Sequence, residues 1–196
     1  MASGFAKPRV AILISGTGSN MEAIIKACRD GRLVADPVVV VSDNPGAPGL
    51  KTASRFLVES FACPYRRGAP REENEAPVTA LIKEHGADWI VLAGFMRILS
   101  PNFVRAFPRR IVNVHPALLP AFPGGHAIRD ALQASADYTG VTIHIVDEFV
   151  DHGPILAQVE VPIYPDDTED SLAARIHAAE HDLYPRTLQQ LFFEDV

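Results

Sequence analysis

The strongest constraint on the fold is an unbroken apolar run that leads directly into a glycine-rich loop and then a helix. Residues 9–15 read RVAILIS, and a strand without alternation is typical of a parallel sheet that is covered on both faces. Residues 15–20 read SGTGSN, after which apolar residues recur at helical spacing until Gly31 ends the helix. Because parallel strands are joined by crossover helices, the chain is predicted to be α/β.

The loop at residues 15–20 has the composition of an anion site. Its glycines let backbone N–H groups approach a phosphate at the start of the helix, and Ser19 and Asn20 add side-chain donors. The loop lacks the third glycine of a dinucleotide fingerprint and the lysine of a nucleoside-triphosphate loop, which favours a monophosphate. The alternative is a tight turn in which Ser19 or Asn20 caps the helix.

Strand and helix patterns alternate along the rest of the chain. Three further runs are typical of buried strands and two of an antiparallel hairpin with one more polar face, namely residues 37–42, 88–93, 111–115, 140–146 and 155–161. The sequence therefore predicts an α/β fold: a Rossmann-like, mostly parallel sheet flanked by helices and continued by antiparallel strands in the C-terminal half.

We expect one domain over residues 1–196, with an N-terminal half at 9–108 and a C-terminal half at 109–196. Two prolines limit the helices. Pro77 must lie in the first turn of its helix or kink it, and the last helix is expected to begin at Thr168 and to break at Pro185.

A polar pair stands at the end of the strand at residues 111–115. Asn113 and His115 are two residues apart, so they face the same side of a strand. Pro116 cannot continue the ladder, which puts His115 at the C-terminal end, where α/β sheets place ligand sites. An amide beside an imidazole therefore predicts a functional site. The alternative is two satisfied polar groups in a loop-rich core.

An acidic connection joins the two hairpin strands. Residues 147–153 read DEFVDHG, which is longer than a tight hairpin turn needs. Loops that rigid elements hold in place often carry binding residues, so this segment is a second candidate for the site. The alternative is a solvated hairpin turn.

Composition excludes several classes of function. The 47% hydrophobic and 21% charged residues fit a packed globular domain, and the net charge of −6 argues against broad nucleic-acid binding. No run is long enough for a membrane span, and residues 1–8 do not resemble a signal peptide, so we expect a cytoplasmic protein. Cys28 and Cys63 are expected to be buried thiols rather than a disulfide or metal ligands.

Four of these segments, taken together, resemble a known family. Residues 15–20, 92–100, 113–120 and 147–154 are similar to those of the phosphoribosylglycinamide formyltransferase family, and the likeness runs in collinear order from about residue 9 to residue 185. Asn-x-His with a distant Asp is shared by the whole folate-dependent formyltransferase superfamily, whereas the phosphate loop is more specific. Ala117, in place of the usual serine, and Phe149 and His152 depart from the family pattern.

The resemblance implies residue roles, position by position. It implies that Asn113, His115 and Asp151 are catalytic. It implies that a ribonucleotide is held by Gly18, Ser19, Asn20 and Glu180. Besides Asn113 and Asp151, the implied folate site comprises Arg71, Met96, Arg97, Ile98, Leu99, Val146, Asp147, Glu148 and Phe149.

The same resemblance implies the substrates and partners. It implies 10-formyltetrahydrofolate as co-substrate, glycinamide ribonucleotide as acceptor and no metal cofactor, with a monomer or homodimer as the assembly. No nucleic-acid or membrane partner is expected.

The chemistry of formyl transfer fits these residue types. Transfer to an amine passes through a tetrahedral oxyanion, for which the Asn113 amide and protonated His115 are suitable donors. Asp151 is expected to pair with the imidazole and to help move the amine's surplus proton to the leaving nitrogen through water. No covalent nucleophile is required.

Four alternatives remain at this point. A formyltetrahydrofolate deformylase would use the same three residues with water as acceptor, but normally carries an extra N-terminal domain. A tRNA formyltransferase would need a basic C-terminal domain. A non-catalytic nucleotide-binding module would keep only the phosphate loop. A metal site built from His115, His126, Asp151 and His152 has suitable ligand types but no characteristic spacing.

Overall fold

The computed structural model describes residues 6–194; residues 1–5 of the N-terminal segment considered above, and the last two residues, lie outside this range. The described chain contains the strands β1 (Arg9–Ile14), β2 (Asp36–Ser42), β3 (Ser60–Ala62), β4 (Trp89–Leu92), β5 (Ile111–His115), β6 (Tyr138–Ile145) and β7 (Ile155–Pro162). Its helices are α1 (Ser19–Arg29), α2 (Pro48–Arg55), α3 (Arg71–Glu84), α4 (Pro101–Ala106), α5 (Ala127–Gln133) and α6 (Glu169–Glu194).

The strands form one mixed sheet in the order β3-β2-β1-β4-β5-β6-β7. The first five strands in this order are parallel, whereas β6 is antiparallel to β5 and β7 is antiparallel to β6. The predicted α/β fold, with a parallel half continued by antiparallel strands, is therefore confirmed. The antiparallel pairing places His144 of β6 opposite Asn113, and Thr142 opposite His115.

Two apolar cores cover the two faces of the sheet. Val112 and Val114 of β5 belong to a core that includes buried residues of α1 and α6. Ile111 belongs to the other core, with buried residues of α3 and α4. Because side chains alternate along a strand, Asn113 and His115 face the side of α3 and α4. The polar pair therefore lies on the second face of the sheet.

Helices α3 and α6 each continue past an internal proline. Helix α6 continues through Pro185 to Glu194, so the expected break there is wrong. Tyr184 and Leu188, on either side of the proline, are fully buried, and this packing outweighs the loss of one backbone hydrogen bond. In α3, Pro77 lies in the second turn rather than the first, and the helix continues to Glu84.

Two further features of the sheet were not predicted. The short edge strand β3 pairs with β2 through residues such as Ser60 and Phe61 and has no periodic pattern of its own. The expected polar face of the hairpin is found only on the edge strand β7, because β6 is buried at every position after Tyr138. Thr142 can be buried because its hydroxyl has partners: it donates to the Ala117 carbonyl at 2.7 Å and accepts from the Leu119 N–H at 3.0 Å.

Candidate active site

The phosphate-loop candidate connects β1 to α1 through a glycine in a left-handed conformation. Gly18 has φ +73° and occupies the N-cap position, where no side chain bonds to the helix. Ser19 and Asn20 lie inside the first turn, so neither is the cap that the alternative interpretation required. The N–H groups of a first helical turn have no partner within the helix, which leaves this end suited to an anion.

Asn20 and Glu180, far apart in sequence, meet at this end of α1. The Asn20 side-chain amide donates to Oε2 of Glu180 at 2.7 Å, and both side chains are buried. Burial raises the pKa of Glu180, although the hydrogen bond from Asn20 opposes the rise. The side-chain oxygen of Asn20, Oδ1, is buried with no hydrogen-bond partner among the described residues. The pair therefore offers a free acceptor atom beside the helix N-terminus.

His115, Asp151 and a backbone loop form the centre of the second candidate. Oδ2 of Asp151 lies 3.4 Å from Nδ1 of His115, and it accepts the Gly124 N–H at 2.8 Å. Nε2 of His115 donates to the Phe122 carbonyl at 2.8 Å. Both ring nitrogens therefore face oxygen acceptors, an arrangement that the protonated imidazole satisfies at both positions.

A second histidine, His144, completes this cluster and was missed in the sequence. Its Nε2 lies 3.2 Å from the Asn113 side-chain nitrogen and 3.8 Å from Oδ1 of Asp151. Its Nδ1 donates to the Ile145 carbonyl at 3.0 Å, so Nε2 is the acceptor for Asn113. Burial lowers the pKa of His144, which favours this neutral form. The alternation of β6 was visible in the sequence, but its register against β5 was not.

The acidic loop brings Asp151 to the sheet in an unusual backbone conformation. Asp151 has φ +51°, a region that non-glycine residues rarely occupy. The loop is closed at its ends by the Ile145 N–H, which donates to the Pro154 carbonyl at 2.9 Å. Glu148 pairs with Arg105 of α4 at 3.0 Å, and Phe149 is 70% exposed. The loop is thus attached to two elements and leaves an apolar ring open to solvent.

Some of the remaining residues of the implied folate site have exposed side chains, whereas others already pack or form hydrogen bonds within the protein. Met96 and Ile98 are mostly exposed, whereas Leu99 is buried in the second core and Val146 packs against it. Arg71 makes only a long hydrogen bond, 3.4 Å, to the Leu99 carbonyl.

The Arg97 side chain already makes contacts within the protein, so it is not fully available to a ligand. It donates to Asp43 at 2.5 Å and lies over the Tyr65 ring, with its central carbon 5.5 Å from the ring centroid. Burial is the main cause that raises the pKa of Tyr65, and the carboxylates of Glu75 and Asp43 add to it.

The four residues of the metal alternative are not arranged around one point. His115 faces Asp151, whereas His152 pairs with Asp147 at 2.8 Å, and His126 is an exposed N-cap of α5. Across residues 6–194 no three or more His, Cys, Asp or Glu side chains are placed to hold a metal ion. In the same range, no helix has the length and apolarity to span a membrane.

The cluster of Asn113, His115, His144 and Asp151 combines amide and imidazole donors with a carboxylate on one sheet face. Such a group can stabilise an oxyanion and move a proton between two nitrogens. The Formyl transferase family model matches residues 8–188, and the chain belongs to the formyl transferase family.

Within that family, relatives of comparable length are phosphoribosylglycinamide formyltransferases. The Escherichia coli K12 enzyme of that name is 38% identical over 176 residues, which cover 90% of this chain and 83% of that protein. The crystal structure of the Bacillus halodurans enzyme is 43% identical with a TM-score of 0.92, and the match covers 96% of this chain and 97% of that one.

Two other relatives mark the limits of the comparison. Trifunctional purine biosynthetic protein adenosine-3 of Drosophila melanogaster is 49% identical over 187 residues, which are 94% of this chain but only 14% of that protein. A formyltetrahydrofolate deformylase from Pseudomonas syringae is 25% identical with a TM-score of 0.90, over 97% of this chain and 62% of that one.

Proposed function

We propose that the chain transfers the formyl group of 10-formyltetrahydrofolate to the glycyl amine of glycinamide ribonucleotide, in de novo purine biosynthesis. The main observation behind the proposal is that Asn113, His115 and Asp151 lie together on one face of the sheet. Nδ1 of His115 is 3.4 Å from Oδ2 of Asp151. The names of the comparable relatives support formyl transfer to this acceptor. This chain matches only 14% of the Drosophila melanogaster trifunctional protein, so the further activities of that protein are not proposed for it.

The reaction needs an oxyanion site and a route for one proton. The amine nitrogen attacks the formyl carbon, which forms the new C–N bond and a tetrahedral oxyanion. Asn113 has a second amide proton that His144 does not use, and protonated His115 is the other donor. In this structure, Nε2 of His115 donates its hydrogen bond to the Phe122 carbonyl. We infer that the substrate oxygen takes the place of this carbonyl as the acceptor.

Asp151 completes the proposed mechanism. Its carboxylate lies 3.4 Å from His115 and holds the imidazole, and in this scheme it helps to move the amine's surplus proton to the folate nitrogen through water. The C–N bond to that nitrogen then breaks, and the tetrahydrofolate leaves with the proton. No side chain forms a covalent bond to the formyl group in this scheme.

The two substrates are assigned to different parts of the site. The ribonucleotide phosphate is proposed to bind the N–H groups of Gly18, Ser19 and Asn20 and the side chains of Ser19 and Asn20, and Glu180 is proposed to contact the ribonucleotide as well. The folate is proposed to lie between the exposed side chains near Met96 and the acidic loop, within reach of the residues of the implied folate site: Arg71, Met96, Arg97, Ile98, Leu99, Val146, Asp147, Glu148 and Phe149.

The test is an assay of 10-formyltetrahydrofolate consumption with and without glycinamide ribonucleotide. The proposal expects turnover only when the ribonucleotide is present, with formylated ribonucleotide formed in equal amount. Turnover without it would identify the hydrolytic deformylase, and ribonucleotide binding with no turnover would identify a non-catalytic module. The cytoplasmic location and the choice between monomer and homodimer stay predictions.

A further inference from the structure

The acidic loop contains a side-chain hydrogen bond that the catalytic scheme does not use. Nδ1 of His152 lies 2.8 Å from Oδ2 of Asp147, and the other oxygen of Asp147 accepts the Phe149 N–H at 2.9 Å. One carboxylate thus joins the start of the loop, its middle and the residue after Asp151. We call the contact between His152 and Asp147 the clasp.

The ring of His152 makes a second contact inside the loop. It packs edge-on against the Phe149 ring, with the centroids 5.4 Å apart and the planes at 69°. Phe149 is 70% exposed, and the side chain of His152 is also 70% exposed. Packing against the rest of the protein therefore does not fix the position of either ring. The conformation of this half of the loop therefore depends on contacts within the loop itself.

The electrostatics of Asp147 agree with this geometry. Partial burial alone would raise the pKa of its carboxyl, but the hydrogen bonds from His152 and from the Phe149 N–H lower it overall. The other charged groups of the loop have partners elsewhere, since Glu148 pairs with Arg105 and Asp151 faces His115. Asp147 and His152 are thus matched to each other.

The backbone around the clasp explains why such a contact is needed. Asp151, directly before His152, holds φ +51°, and a non-glycine residue stays in that region only where its surroundings fix it. Gly153, directly after His152, touches β6 so closely that a Cβ would lie 1.9 Å from the Ile145 carbonyl oxygen. The chain is fixed at Gly153 by the sheet and at Asp147 by the turn, and the clasp links these two points.

We propose that His152 and Asp147 are a positioning pair that holds residues 147–153 in the shape that receives the formyl donor before that donor binds. The inference rests on the proposed function, because it assigns this loop to the folate. A loop that is already ordered loses less conformational entropy on binding, so the clasp lowers the KM for the donor. It does not touch the reacting atoms and is expected to leave kcat nearly unchanged.

Two substitutions at residue 152 separate the hydrogen bond from the ring. His152→Asn keeps a side-chain nitrogen donor at the same distance from the backbone and loses the ring. His152→Phe keeps an aromatic ring against Phe149 and loses the donor. An exposed polar contact of this kind changes an equilibrium by about two- to fivefold. We therefore expect His152→Phe to raise the KM for the formyl donor by this factor, and His152→Asn to restore most of the loss.

Three further measurements make the experiment decisive. Asp147→Asn should raise the same KM, and combining it with His152→Phe should add little, because each removes the same contact. Amide exchange of residues 147–153 without ligand should be faster in His152→Phe than in the wild type. Glu169→Gln, which breaks an exposed ion pair with Arg129 on another surface, is the control and should change neither quantity.

The results distinguish the clasp from the proposed function. Equal donor KM and equal loop exchange in His152→Phe and the wild type would overturn the clasp while formyl transfer stands. A rise in the KM for the ribonucleotide, or equal losses in the Phe and Asn variants, would overturn it as well. If the wild type does not transfer formyl groups but the exchange difference remains, the proposed function fails and only the ordering of the loop is supported.

Discussion

His115 is held by two oxygen atoms of different kinds. One is the Phe122 carbonyl at 2.8 Å and the other is the Asp151 carboxylate at 3.4 Å, and the whole residue is only 4% exposed. Buried polar groups need hydrogen-bond partners, so the imidazole of His115 and the carboxylate of Asp151 are expected to act as one unit.

This coupling gives a prediction about activity. His115→Ala and Asp151→Asn should each lower kcat about 10²- to 10³-fold, the usual cost of losing a preorganised charged group beside an oxyanion. The double variant should be little worse than the worse single one. Steady-state kinetics on the three variants, with circular dichroism to confirm folding, make the measurement. Fully multiplicative losses would show that the residues act independently.

Glu180 gives a second residue-scale prediction, about stability. Burial raises its pKa, so between about 4.5, its ordinary value, and the raised value the folded state binds more protons than the unfolded state. The free energy of unfolding therefore falls as pH rises through this window. Glu180→Gln does not titrate, so its stability relative to wild type should increase across the window and then level off.

Urea unfolding at a series of pH values tests this expectation. The control is Asp182→Asn, which removes an exposed carboxylate from the same helix. A stability difference between wild type and Glu180→Gln that stays constant from acidic to neutral pH would contradict the prediction. If Glu180 also contacts the ribonucleotide, the same variant should raise the KM for that substrate.

The residues of the site were unequally visible in the sequence. The same-face position of Asn113 and His115 followed from the period of a strand, and the structure places both on the second face. Asp151 was identified only through the family resemblance, because loop conformation has no periodic pattern. His144 could not be found without the register of two strands that lie about 30 residues apart in sequence.

At the scale of elements, the phosphate loop depends on how closely α2 approaches it. The Gly49 N–H donates to the Gly16 carbonyl at 3.1 Å. A Cβ on Gly49 would lie 2.5 Å from the Ile14 side chain and 3.0 and 3.1 Å from the carbonyl oxygens of Gly16 and Thr17. The absence of a side chain at this one position in α2 therefore fixes the shape of the loop between β1 and α1.

We predict that Gly49→Ala raises the KM for glycinamide ribonucleotide about ten- to a hundredfold, because a small displacement of the loop misplaces several donors at once. The KM for the formyl donor should remain unchanged. Gly46→Ala, three residues earlier in the loop before α2, is the control, since its Cβ would meet only Asn44 Oδ1 at 3.4 Å. A shift in the donor KM instead of the ribonucleotide KM would mean that the two sites are assigned the wrong way round.

The elements themselves were largely predictable, and the misses have physical causes. Apolar periodicity located the long helices and the buried strands. Ser100 caps α4, where its hydroxyl accepts the Phe103 N–H at 3.1 Å. The break expected at Pro185 is wrong because local propensity cannot weigh the burial of Tyr184. The Tyr184 hydroxyl also reaches the carbonyls of Leu92 and Val112, at 3.1 and 2.9 Å.

At the scale of the whole molecule, one sheet and one long helix join the two halves. Strand β4 of the N-terminal half pairs with β5 of the C-terminal half, and Leu92 lies opposite Asn113. Phe192 of α6 packs against Trp89 of β4, with the ring centroids 5.2 Å apart. Trp89 is the only tryptophan of the chain and lies where both halves meet.

We therefore predict a single cooperative unfolding transition, as the assignment of one domain requires. Tryptophan fluorescence, which reports on Trp89, and far-ultraviolet circular dichroism, which reports on all helices, should give the same urea midpoint. Two separated transitions would contradict the prediction and would indicate that residues 9–108 and 109–196 unfold independently.

The hairpin of β6 and β7 has a consequence for how proteins with this fold diverge. Its strands pair from Tyr138–Pro162 to His144–Ile155, and the Ile145 N–H closes the connection on the Pro154 carbonyl. Insertions or exchanges at the positions between these closing residues, other than Asp151, would alter the rim that we propose faces the folate without shifting the strands that hold Asn113 and His144. On the proposed function, this short segment is where a lineage would change its choice of one-carbon donor, while selection on folding acts elsewhere in the chain.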